Sequence, residues 1–81
     1  MRESGFKRLF RSILLTLNDN GMITYDDLKF IESKIPNRDD LELILFFLEE
    51  AGIIKLNSEL NAYILVNRRI VRKVVERMRK N

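Results

Sequence analysis

The chain has 81 residues, 46% of them apolar and 33% charged, with no Cys, His or Trp and a net charge of +3. That is enough for one compact domain and no more, too apolar for a disordered segment, and without the residues for disulfides or thiolate metal sites. No apolar run approaches the roughly 20 residues that span a bilayer, and "MRESGFKRLF" holds no long apolar core and no small-residue cleavage site, so neither a membrane span nor a secretory signal is expected and the expected compartment is the cytoplasm.

A helix is expected from Ser4, a suitable N-cap, onward. Phe6, Leu9, Phe10, Ile13, Leu14 and Leu17 recur at spacings of three and four and so share one face. Asn20-Gly21 closes it, and "MIT" reads as a short extended link. Thr24 caps a second helix with Asp26 and Asp27 in its first turn, where the dipole favours negative charge, and Leu28, Ile31 and Ile35 on its buried face. Pro36 stops it by pushing Ile35 out of the helical region. Asn37 caps a third helix that begins with Asp39 and Asp40, runs to about Ala51 and ends at Gly52. "IIKLN" and "AYILV" read as two short strands, with "SELN" as a hairpin loop between them. Asn67 caps a last helix, on which Ile70, Val71, Val74, Val75 and Met78 form one apolar stripe. The whole is one domain, 1–81, with a core over 5–66 and a basic C-terminal helix over 67–80; no repeat or linker interrupts it.

Charge is unevenly placed. Residues 1–17 balance at +3, residues 18–66 at −6 and residues 67–81 at +6, so any nucleic-acid contact falls to the two ends. On the last helix Arg68, Arg69, Arg72, Lys73, Arg77, Arg79 and Lys80 fill the positions between the stripe residues. Arginine pairs well with phosphate and keeps its charge. A solvated helix face explains the same run of charge without any ligand, and a membrane-surface helix is a poor third choice because Ile and Val alone make a weak interfacial face.

The order helix, short strand, helix, turn, helix, hairpin, helix resembles the winged-helix family of helix-turn-helix domains. The resemblance covers residues 5–66 and rests on element order, on the tight "KIPNRDD" turn, and on "LEEAGII", which is similar to the junction joining the third helix to the wing in that family. It implies an α+β, mostly α fold and a DNA-binding regulator. The last helix resembles the dimerisation extension of several small archaeal and viral regulators, which implies a homodimer.

In a helix-turn-helix protein the third helix offers its first residues to base edges. Those are Lys34, Asn37 and Arg38, next to Asp39, Asp40 and Glu42, which are poor neighbours for a polyanion; dipole complementarity accounts for Asp39 and Asp40 without a ligand. The middle of that helix is apolar nearly all round. Leu41, Ile44, Leu45 and Leu48 point inward, whereas Leu43, Phe46 and Phe47 spread over the rest and call for cover by the last helix or a second subunit. Most of the third helix is therefore expected to be structural. The expected DNA contacts are Lys34, Asn37, Arg38, Arg68, Arg69, Arg72 and Lys73. The expected dimer or partner contacts are Leu43, Phe46, Phe47, Ile70, Val74 and Met78. The hairpin tip, Asn57 to Asn61, has no basic residue, a departure from wings that enter the minor groove. Tyr63 is expected to pack on the hairpin.

An enzyme is not expected. General bases of the His type and thiol nucleophiles are absent, and adjacent acids such as Asp26-Asp27 or Glu49-Glu50 project about 100° apart on a helix. No cofactor, metal or small-molecule substrate is implied. The alternative to a DNA-binding protein is a protein-interaction module that uses the acidic and apolar third helix.

Overall fold

The computed structural model describes residues 5–80. It is an α+β structure, mostly helical: α1 (Gly5–Asn20), β1 (Met22–Thr24), α2 (Tyr25–Lys34), α3 (Arg38–Glu50), β2 (Ile54–Asn57), β3 (Ala62–Leu65) and α4 (Arg68–Lys80). The expected Ser4 cap lies outside the described residues.

Local chemistry sets the joints. Gly21 leaves α1 at φ 76°, and its N–H donates to the Leu17 carbonyl at 2.8 Å. Thr24 and Asp27 form a reciprocal capping box at the start of α2: the Thr24 hydroxyl accepts from Asp27 N–H, and the Asp27 carboxylate accepts from Thr24 N–H, each at 3.0 Å. Asn37 caps α3. At the other end of α3, Gly52 takes φ 74° while its N–H reaches the Glu49 carbonyl and that of Ile53 reaches Leu48, the paired bonds that satisfy a helix's last carbonyls. Asn67 accepts from Ile70 N–H at 3.2 Å and opens α4.

The "MIT" segment is a strand of the sheet rather than a link. β1 pairs antiparallel with β3 (Met22 opposite Ile64, Thr24 opposite Ala62), and β3 pairs with β2 through the hairpin, which gives the order β1-β3-β2. The hairpin turns over Ser58–Asn61. Asn61 has φ 48°, and the Asn57 side chain accepts from Leu60 N–H at 3.1 Å, which explains the Asn at both ends of the loop.

The core gathers Leu9, Ile13 and Leu17 of α1, Ile23 of β1, Leu28 and Ile31 of α2, Leu41, Ile44 and Leu48 of α3, Ile54 and Leu65 of the hairpin, and Val71 and Val75 of α4. It is wholly aliphatic: none of the five Phe belongs to it, and among the described residues no buried polar side chain does either. The main partner of α4 is α1, so the last helix is not laid over α3. No helix among the described residues is long and apolar enough to cross a membrane.

Candidate nucleic-acid interface

Packing of α4 on α1 brings the two basic ends of the sequence together. Val71 and Val75 are buried, and Val74 and Met78 are half-buried against the core, so the stripe on α4 fixes that helix by its apolar side. Seven basic residues and Glu76 remain on the exposed sides. At 100° per residue, Arg69, Lys73, Arg77 and Lys80 fall on one strip about 16 Å long, bordered by exposed Ile70 on one side and Glu76 on the other. Arg68, Arg72 and Arg79 lie on the flank nearer α1. A Cβ added at Gly21 would stand 3.1 Å from an Arg68 guanidinium nitrogen, so Arg68 lies over the turn between α1 and β1. Arg79 stands 3.8 Å from the carboxylate of Asp19, with both side chains largely in solvent.

The basic surface continues on α1. Arg11 shares one shallow groove with Leu15, Asp19, Met78 and Arg79, and an open cleft with Arg8, Ser12, Lys34 and Ile35. Basic groups therefore run from the end of α2, across α1, to the end of α4. Arg8 and Arg11 are absent from the site residues expected from sequence. Their charge was visible there, but the packing that places them beside Lys34 and Arg79 is not local.

The residues expected to read bases are held differently. The Asn37 side chain is engaged by Asp40 at both ends: its carbonyl accepts from Asp40 N–H at 3.3 Å, and its amide donates to the Asp40 carboxylate at 2.6 Å. Arg38 lies 3.7 Å from Glu32. The Lys34 ammonium sits 5.5 Å from the centre of the Phe30 ring, a cation–π contact, while also lining the cleft with Arg8. The next outward residues on α3 are Asp39, Glu42, Leu43, Phe46 and Phe47, which offer a phosphate nothing. Lys55 is exposed on β2, but the hairpin tip carries Glu59 and exposed Leu60.

The outer face of α3 is uncovered: Leu43 is 53% exposed, Phe46 61% and Phe47 70%. Beside it an apolar groove of about 300 Å³ is lined by Phe6 and Phe10 of α1 and by Leu43, Ile44, Phe47 and Leu48 of α3. Phe6 and Phe10 stack at 6.2 Å. Sequence periodicity counts both as inward residues of α1, yet Phe6 is exposed and Phe10 only half-buried. Ile70 is exposed on α4. Tyr63 of β3 is half-buried and meets the Tyr25 ring at 6.3 Å. Burial, followed by the charge of Glu49 and the neighbouring Tyr25, pushes its phenol above the usual value of 10.0.

No group of three or more His, Cys, Asp or Glu side chains among the described residues is arranged to hold a metal ion. No protein-family model, curated protein or solved structure matches the chain.

Proposed function

We propose that this chain is a winged-helix DNA-binding domain that grips the duplex by its phosphates, through α4 and the basic side of α1, and does not read base edges with α3. The observation that carries the reading is the predominance of basic groups from Lys34 through Arg8 and Arg11 to Arg79 and the α4 strip, with Asp19 beside Arg79 and Glu76 on α4 as the acids among them. Duplex DNA presents one negative charge per about 1.7 Å of axis, and each phosphate neutralised releases counterion, so a rigid row of cations on one helix is suited to it. The element order, with a short first strand joined to the hairpin in one sheet, supports the winged-helix part. Contacts of this kind position a protein without selecting sequence, which fits a regulator or architectural protein with weak base preference.

The test is a titration of a mixed-sequence duplex at several salt concentrations. Deleting α4 is unsuitable, because Val71 and Val75 belong to the core. Alanine at Arg69, Lys73 and Arg77 keeps helix propensity and removes three cations. The expected result is a weaker salt dependence, by about one unit of slope per residue that contacts phosphate. An unchanged slope and affinity overturn the reading.

A second role, protein contact, is favoured by a different observation: the uncovered Leu43, Phe46 and Phe47 on α3. Rings in water on a helix flanked by acids serve no phosphate contact, but they suit a protein surface.

A further inference from the structure

We infer that the protein contact on α3 is a second copy of this chain, docked face to face across the groove between α1 and α3 with Phe46 of each copy seated in the groove of the other. The inference rests on the protein-contact reading of that face and is independent of DNA binding.

Three features favour a second copy over an unrelated partner. The first is shape. A two-fold interface needs a knob and a hole on the same face, since whatever one copy inserts the other must receive. Phe46 is an exposed ring that does not line its own groove, and the groove beside it is apolar and open. The second is charge. The α1 side of the groove carries exposed Lys7 between Phe6 and Phe10, and the α3 side carries exposed Asp39, Glu42 and Glu50. A two-fold axis running along the groove lays α1 of each copy, with Lys7, against the acidic α3 of the other, so the face can meet itself with opposite charges. The third is area. Taking about 200 Å² per Phe ring, exposures of 41%, 61% and 70% at Phe6, Phe46 and Phe47, together with Leu43, amount to about 400 Å² of apolar surface. That is about half of the 800 Å² that each partner contributes to an ordinary stable interface, with the charged rim to supply the rest.

The experiment is sedimentation equilibrium of the full chain, without DNA, over a wide range of concentration. The wild type is expected to dimerise. Phe46→Ala and Phe47→Ser are expected to weaken dimerisation strongly while circular dichroism stays unchanged, since both side chains are largely in solvent. Phe30→Ala removes an equally exposed ring from α2 and is expected to change nothing, which separates a specific face from general stickiness. Lys7→Glu and Glu50→Lys each place like charges across the two-fold and should weaken self-association by roughly tenfold. An equimolar mixture of those two variants restores both opposite-charge contacts and should form a heterodimer. A wild type that stays monomeric overturns the second-copy assignment while leaving the surface open to another protein, so the two failures are distinct. A dimer indifferent to Phe46, or a mixture that gains nothing over either variant alone, overturns the proposed face.

Discussion

Val75 decides whether α4 is part of the domain or an arm laid on it. Its side chain is 1% exposed. Val75→Ala removes two methyl groups from the contact with α1, a transfer loss of about 1.6 kcal/mol at ~0.8 kcal/mol per group. The gap left behind raises the cost to about 2–3 kcal/mol, because neighbours close over it only partly. Val66→Ala is the matched control. It makes the same chemical change at a side chain 59% exposed, just before α4, and should cost under about 1 kcal/mol. Urea unfolding at two protein concentrations reads both: with a slope of about 1 kcal/mol per molar for a small domain, the Val75 midpoint falls by about 2 M or more and the Val66 midpoint by well under 1 M. A Val75→Ala penalty below about 0.5 kcal/mol would refute the docking of α4 on α1, since surface substitutions fall in that range. A penalty that vanished on dilution would mean that α4 docks on another copy.

Three further outcomes follow from the caps and from Tyr63. Asn37→Ala should cost about 1 kcal/mol in chemical denaturation through loss of the α3 cap, while Asn37→Ser keeps most of it and duplex affinity is unmoved by either. Gly52→Ala should destabilise by about 1 kcal/mol from its positive φ alone, as open space surrounds the added methyl; Gly21→Ala should cost about the same, because that methyl meets the guanidinium end of an exposed Arg68, which can swing aside. The fold favours the neutral phenol of Tyr63, so its contribution is intact below pH 10 and is lost as pH rises through the elevated folded value. Urea midpoints of wild type should therefore fall more between pH 8 and pH 10.5 than those of Tyr63→Phe, and equal falls would remove the assigned cause.

What could be read in advance was whatever the chain decides locally. Thr24, Asn37 and Asn67 cap the helices expected of them, and Gly21 and Gly52 end theirs, because a cap depends on residues within four positions. The partner of β1 could not be read, since three residues carry no period and their ladder lies about forty residues downstream. Nor could the neighbour of α4: its stripe says that one side is buried, not against which helix. The third helix shows the limit from the other direction. Its apolar circumference calls for cover on every side, whereas in the single chain one side is core and the other is bare. The DNA contacts expected at Asn37 looked available in the sequence because side-chain chemistry was visible and side-chain engagement was not; the same Asn that suits a base edge also suits the Asp40 amide.

The division between an aliphatic interior and aromatic exterior changes what light can report about this molecule. In most small domains a buried ring gives the near-ultraviolet signal its asymmetry, and loss of that signal marks unfolding. Here Phe30, Phe46 and Phe47 stand in solvent, whereas Phe10 and Tyr63, both half-buried, pack against the aliphatic interior. Folding of the core is therefore reported in that window by Tyr63 and Phe10 at its edge, and closure over Phe46 and Phe47 should add a separate signal of its own.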